Sequence, residues 1–191
     1  MGQKNASIPI IGPEASGKTM LAQKLAKEFG GIATEEYARH YFIENQLPAD
    51  HTLSADEMCE VMEGQWQAEQ GEGVRFIDAS VIHGPLYAAM GRNAENGLSF
   101  DYTAVDPRVL DYGRKGAYDA IILCRPHVLL EWVDDGQRAM PSLIDRHAFA
   151  ESCYVYIAEH YSHVPVIMVD QGSWMERELH AIGALKEKFF L

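Results

Sequence analysis

Residues 12–19 read GPEASGKT and match the pattern Gly-x-x-x-x-Gly-Lys-Thr in full. The chemistry such a stretch can do is to cradle phosphate. Gly12 and Gly17 let the backbone wrap closely, so that the N–H groups of the loop, across Glu14, Ala15 and Ser16, aim at phosphate oxygens. Lys18 brings a positive charge to the β- and γ-phosphates, and Thr19 offers a hydroxyl to Mg²⁺. An apolar run, SIPII (7–11), precedes the loop and an amphipathic stretch follows it. The loop therefore opens a helix, whose N-terminus adds a partial positive charge. ATP and Mg²⁺ are the expected cofactors.

Other residues could complete a site around that cradle. Asp78 closes the run FIDAS (76–80) and suits the carboxylate that holds Mg²⁺ or its waters; a solvated strand-end aspartate is the other reading. Glu36, in EEYAR (35–39), could accept a proton from a substrate hydroxyl, and Asp78 competes for that role. Arg39 shares a face with Glu36 if a helix starts there, and an ordinary ion pair at a helix start would look the same. The stretch EWVDDGQR (131–138) sets Trp132 beside Asp134, Asp135 and Arg138. It suits either the binding of a flat, polar small molecule or a helix-start turn with one buried aromatic. Arg125, Arg138 and Arg146 suit the charge on a transferring phosphoryl group if a closing segment carries them. Surface ion pairs are the alternative, and at least one of the three is expected to be one. His160 and His163 have metal-ligand spacing but no third ligand, and Met58, Met62 and Trp66 read as a packed helix face.

The elements that must position these groups follow from periodicity. Strands are expected at Ser7–Ile11, 32–34, 74–77, 120–124 and 164–169. A helix is expected over 19–29, stopped by Gly30 and Gly31, and another over about 174–188. Ser54 with Glu57 forms a capping box that opens a helix running to about Gln70. Strands alternating with helices imply a parallel sheet covered on both faces, and ligands in such sheets sit at the carboxyl ends of the strands. Those ends fall at 12–19, 35–39, 78–80, 125–138 and 170–177. The stretch 92–105 reads as a mobile loop.

The chain has 191 residues and a formal net charge of −12, with 47% apolar and 23% charged residues. Its size suits a single domain, 1–191, with a lid over about 133–150. The acidic balance argues against binding duplex nucleic acid, though not against small anions. Three scattered cysteines fit reduced thiols in a cytosol rather than a disulfide framework. No apolar run is long enough to span a membrane, the first residues lack a signal-peptide core, and Ala6 stands where a myristoylation signal wants Ser or Thr. A cytoplasmic location without membrane insertion is expected; oligomeric state is not legible.

Among P-loop proteins, a GTPase would carry Asp-x-x-Gly after the third strand, where this chain has Asp-Ala-Ser-Val, and an Asn-Lys-x-Asp motif that is missing. A small-molecule kinase needs one sheet, an acceptor pocket and a lid, which fits this length. GPEASGKT, EEYAR, FIDAS, YDAIILCRP (118–126) and WVDDGQR (132–138), in this order and over nearly the whole chain, resemble the nicotinamide riboside kinase domain of bacterial NadR-type proteins. The resemblance implies a three-layer α/β fold of the P-loop nucleoside-kinase type: a five-stranded parallel sheet, helices on both faces, and an arginine-bearing lid. It implies transfer of the γ-phosphoryl of ATP to the 5′-hydroxyl of nicotinamide riboside, giving nicotinamide mononucleotide. Trp132 would stack on the nicotinamide, Asp134 and Asp135 would hold ribose hydroxyls, Glu36, Arg39 and Asp78 would also bind the acceptor, and Arg138 would act in catalysis. Arg146 and Arg177, the latter on the last helix, would bind the nucleotide. Two departures stand out. The family's third strand often ends Asp-Thr-Asp, where this chain has Asp78-Ala79-Ser80. There is also no His-x-Gly-His signature, so no adenylyltransferase or DNA-binding activity is expected. Other readings are a kinase for another nucleoside or small metabolite, and an ATP-binding sensor without phosphoryl transfer.

Overall fold

The structure, a computed structural model, describes residues 5–48, 51–93, 97–129 and 142–190. The chain begins with β1 (Ala6–Ile11), α1 (Lys18–Phe29), β2 (Ile32–Thr34), α2 (Tyr37–Glu44), α3 (Ala55–Glu69) and β3 (Val74–Asp78). It continues through α4 (His83–Ala89), β4 (Met90–Asn93), β5 (Gly97–Phe100), a 3₁₀ turn at Tyr102–Ala104 and α5 (Pro107–Tyr112). β6 (Ile121–Cys124), α6 (Leu143–His160), β7 (Val166–Val169) and α7 (Trp174–Leu185) follow, and a π-helical turn covers Lys186–Phe190.

Five strands form one parallel sheet in the order β2-β3-β1-β6-β7. β1 lies at the centre, and its residues read as a continuous apolar run because both faces of the sheet are covered. Alternate side chains go to opposite layers. Ile8 and Ile10 pack with Leu21 and Leu25 of α1 and with Ala181 and Leu185 of α7. Ile11, Ile121 and Leu123 face the other way, against Leu86 of α4 and against Phe149, Cys153 and Ile157 of α6. These three layers are the expected α/β architecture. In register, Ile10 pairs with Asp78 on one side and with Ile122 on the other. The P-loop, leaving β1 after Ile11, therefore emerges between the ends of β3 and β6.

The capping box of α3 is complete: Ser54 accepts from the Glu57 N–H, and the Glu57 carboxylate accepts from the Ser54 N–H. One expectation is corrected. The stretch 92–105 is not simply a loop, since β4 and β5 form an antiparallel pair, Met90 opposite Phe100, and a 3₁₀ turn follows. The lid expected over 133–150 is helix in its second half. α6 starts at Leu143, its Ser142 cap accepts from the Asp145 N–H, and Arg146, Phe149 and Ala150 are buried. Residues 130–141 lie outside the described residues.

Phe149 ties the layer together. Its ring is stacked on His83 at 6.1 Å, lies 5.0 Å from Tyr87, and meets Phe100 edge-on at 6.0 Å. Among the described residues no helix is long and apolar enough to cross a membrane. Phe149→Ala is expected to lower the unfolding free energy by about 3–5 kcal/mol, read from the urea midpoint, because three aromatic neighbours cannot collapse into the gap.

Candidate active site

The cradle is built as its residues demand. Gly12 (φ 139°) and Gly17 (φ 84°) adopt backbone conformations that side chains disfavour. A methyl on Gly12 would meet the Cys124 carbonyl oxygen at 2.2 Å, and one on Gly17 would meet the Trp174 ring at 1.8 Å. Gly17 caps α1 without a side-chain acceptor, so the first N–H groups of the helix have no capping side chain and face the loop's concavity. Lys18 Nζ donates to the Pro13 carbonyl at 2.8 Å, and Ser16 Oγ donates to the same oxygen at 2.7 Å. The lysine thus folds over its own loop.

Behind the cradle stands Arg177, only 2% exposed. Its Nε donates to Gln171 O at 2.7 Å, Nη1 to Ser16 O at 3.0 Å and Nη2 to Arg125 O at 2.7 Å. The sequence reading made it a nucleotide ligand. The structure instead turns its donors to three main-chain carbonyls, which fasten the P-loop to the ends of β6 and β7. Trp174, on the same helix, lies against Gly17 and walls a groove with Met20, Lys24 and Glu178.

On the other side of the loop, the Thr19 hydroxyl donates to Asp78 Oδ2 in a short contact. The second oxygen, Oδ1, is buried and has no hydrogen-bond partner among the described residues. Burial raises the Asp78 pKa, opposed first by the Lys18 ammonium and then by the Thr19 hydroxyl; Glu36 and Arg39 also act on it. An orphaned carboxylate oxygen beside a P-loop hydroxyl is the donor set that a hard, oxygen-seeking cation such as Mg²⁺ takes, with phosphates and waters supplying the rest. Glu36 precedes α2 and accepts from Arg39 Nε at 3.0 Å, so the expected pair on one helical face exists. Lys18, Thr19, Asp78, Glu36 and Arg39, far apart in sequence, converge on one mouth.

The turn after Asp78 carries a residue in a strained conformation, Ala79 at φ 56°. Each N–H in the turn has a partner. Ala79 donates to Ile10 O at 3.2 Å, Ser80 to His83 Nδ1 at 3.2 Å, and Val81 to Glu69 Oε1 at 2.8 Å. Ile82 donates to Ser80 Oγ at 3.2 Å, and His83 to Ser80 O at 2.9 Å. Ser80, where the family often has a carboxylate, is buried with its hydroxyl turned to its own turn. α3 supports the whole from below. Gln65 donates to Ala79 O at 3.4 Å and accepts from the Tyr37 N–H at 2.9 Å, joining this turn to α2. The Glu69 carboxyl takes the Tyr118 hydroxyl at 2.7 Å as well as the Val81 N–H. Burial pushes its pKa up to about 7 despite Tyr118, Val81 and Gln65, which favour the ionised form.

Sequence reasoning missed Gln65, Glu69, His83 and Trp174. Nothing in their local spacing marks them; each acts across an element boundary. Trp132, Asp134, Asp135 and Arg138 lie outside the described residues. Arg125 is ion-paired with Glu151, the surface pair expected of at least one of the arginines. Arg146 is only 4% exposed, in the first turn of packed α6. Burial lowers the pKa of His147, helped by Arg125 and Arg146, so these two guanidinium groups lie near the end of β6. His160 packs edge-on against Tyr156 at 4.4 Å, and among the described residues no cluster of three or more His, Cys, Asp or Glu could hold a metal.

Sheet order, cradle and buried aspartate together define a P-loop nucleotide-binding domain with the fold of nucleoside kinases. The AAA domain family matches residues 7–177, and the chain belongs to it. It is 24% identical over 186 residues to the trifunctional NAD biosynthesis/regulator protein NadR of Salmonella typhimurium, covering 95% of this chain and 42% of that protein. The NadR of Escherichia coli is 23% identical, with the same coverage. The chain thus spans less than half the length of these curated relatives. Among solved structures, the NadR protein in complex with NR superposes with a TM-score of 0.77 at 26% identity, over 98% of this chain and 52% of that one. Thymidylate kinase from Candida albicans superposes with a TM-score of 0.65 over 98% of this chain and 93% of its own, and at 13% identity it shares the fold.

Two outcomes follow from this geometry. Gly17→Ala, strained in its backbone and colliding with Trp174, is expected to weaken MgATP binding roughly ten-fold or more by calorimetry. Glu69 gives a pH dependence of defined sign. Its carboxyl keeps its proton in the folded state up to about 7, whereas the unfolded chain loses it near 4.5, so stability falls as pH rises through that window. Buried, neutral His83 acts in the opposite sense at lower pH. The difference between wild type and Glu69→Gln isolates the carboxyl: on the order of 3 kcal/mol in relative unfolding free energy between pH 5 and 8.

Proposed function

We propose that this chain transfers the γ-phosphoryl of ATP to the 5′-hydroxyl of nicotinamide riboside, giving nicotinamide mononucleotide. The carrying observation is the contact of the Thr19 hydroxyl with the Asp78 carboxylate at the mouth of the cradle, within electrostatic reach of Lys18 and the Glu36–Arg39 pair. The likeness to the NadR protein in complex with NR supports the choice of acceptor.

In this reading the P-loop amides of 12–19 and Lys18 hold the triphosphate, and the groove beside Trp174 takes the rest of the nucleotide. Thr19 and Asp78 would hold Mg²⁺, which neutralises phosphate charge when bound. Asp78 is buried and engaged with Thr19, so Glu36, half-open and oriented by Arg39, is the group that accepts the proton of the acceptor hydroxyl. Trp132 stacks on the pyridinium, worth about 0.5–2 kcal/mol as a cation–π contact, and Asp134 and Asp135 hold the ribose. Arg138 reaches the transferring phosphoryl from a lid over about 133–150, and Arg146 adds charge from the start of α6 within that stretch. A single kinase domain acting on a small cytoplasmic metabolite accounts for all of these groups.

Purified protein with MgATP and nicotinamide riboside is expected to yield the mononucleotide by mass spectrometry, with none from Lys18→Ala. Glu36→Gln is expected to lower kcat roughly 100-fold while leaving MgATP affinity within about two-fold, as for loss of a general base. ADP formed without mononucleotide would move the acceptor to another nucleoside; full activity in Glu36→Gln would return the base role to Asp78.

A further inference from the structure

His83 is a buried titratable side chain that touches both halves of the site. It is 5% exposed, on the first turn of α4, with its ring stacked on Phe149 at 6.1 Å and 13° and lying 6.1 Å from Tyr87. Nδ1 lies 3.2 Å from the Ser80 N–H, which can only donate, so Nδ1 is the unprotonated nitrogen. The ring proton then sits on Nε2, which lies 3.1 Å from the Gly12 carbonyl oxygen and donates to it. The Gly12 N–H is also directed at Nε2 from 3.2 Å; the proton is placed on Nε2 because an acceptor, Gly12 O, stands beside it, whereas only a donor stands beside Nδ1. Burial first, then the Lys18 charge, keep the ring neutral, consistent with one donor and one acceptor.

Through these two bonds one rigid ring spans the first residue of the phosphate cradle and the turn that follows Asp78. Apart from the Thr19–Asp78 contact at its start, the other supports of that turn come from α3, β1 or the turn itself. Phe149 and Tyr87 hold the ring plane, so neither bond can lengthen without moving packed aromatic groups.

We propose that His83 is a positioning residue that fixes the distance between the P-loop at Gly12 and the Asp78–Ser80 turn, and so sets the alignment of the bound triphosphate with the acceptor side of the site. The proposal deepens the kinase reading and rests on it for its kinetic consequence. The physical contact itself does not depend on which acceptor is used.

Substitutions that keep one bond at a time test it. Asn places an acceptor near Nδ1 and keeps the Ser80 bond without reaching Gly12; Gln places a donor near Nε2 and keeps the Gly12 bond. His83→Asn is expected to lower kcat at least ten-fold, with KM for nicotinamide riboside and affinity for MgATP within about three-fold, because misalignment on the scale of 1 Å is felt in the transition state more than in binding. His83→Gln, which gives up the Ser80 bond instead, is expected to lower kcat to a similar extent. A second readout needs no phosphoryl transfer. In wild type, adding Mg²⁺ with a non-hydrolysable ATP analogue is expected to slow hydrogen exchange of the 79–83 amides; in His83→Asn and His83→Gln the slowing is lost although the analogue still binds. Equal kcat in wild type and His83→Asn, or equal exchange protection in all three proteins, overturns the proposal. Should wild type bind the analogue yet phosphorylate nothing, the kinase reading fails while the exchange result still decides the role of His83.

Discussion

The pairing of β3 with β1 governs much of what the site can do. Ile10 sits opposite Asp78, and the Ala79 N–H continues the ladder to the Ile10 carbonyl. A parallel register is discrete, so a slip of one residue would send the side chains of β3 to the opposite faces of the sheet. The carboxylate would then leave the side on which Thr19 stands. With the register held, a P-loop that leaves β1 two residues after Ile10 meets an aspartate that ends β3, and the hydroxyl–carboxylate contact follows. The large apolar run of β1, buried on both faces, is what makes this register costly to alter.

Around that pairing the molecule supplies two sets of props. Arg177 binds three carbonyl oxygens, from the P-loop and from the segments after β6 and β7, and is buried in doing so. A buried cation with no carboxylate partner among these contacts is tolerated because three loop carbonyls, each a partial negative charge, surround it. On the β3 side, α3 offers Gln65 and Glu69 to a turn whose Ala79 is strained. The strain persists because five consecutive N–H groups have assigned partners. His83 is where the two sets meet. The acidic balance of the chain, −12, does not conflict with phosphate binding, since Lys18 and the N-terminus of α1 define the local field.

Departure from the common family pattern at Ser80 has a local structural account. A carboxylate in that buried place would join Glu69, whose own carboxyl is already held up toward neutrality by burial. The serine instead closes the turn with hydrogen bonds to Ile82 and His83. The aromatic layer of His83, Tyr87, Phe100 and Phe149 packs directly beneath, so the turn rests on a stiff floor rather than on solvent.

Local physics is what the sequence by itself determined. Glycines where the backbone must turn left-handed, a lysine and threonine at fixed offsets, and short apolar runs bounded by turns are properties of contiguous residues. From them came the cradle, the five strands, the α3 capping box and the Glu36–Arg39 pair. α6 escaped because its face is disguised: Asp145 and Arg146 are buried while Ile144, Tyr154 and Val155 are exposed, which blurs the helical period. The β4–β5 pair escaped because its glycine- and asparagine-rich stretch gains its order from α6, to which Arg92 is bound through Asp145 at 2.9 Å. Tertiary structure alone decided that Thr19 meets Asp78, that Arg177 serves the loop's carbonyls, and that His83 joins residues 12 and 80. Those contacts depend on which strands become neighbours, and strand order is a property of the packed layers rather than of any local stretch of chain.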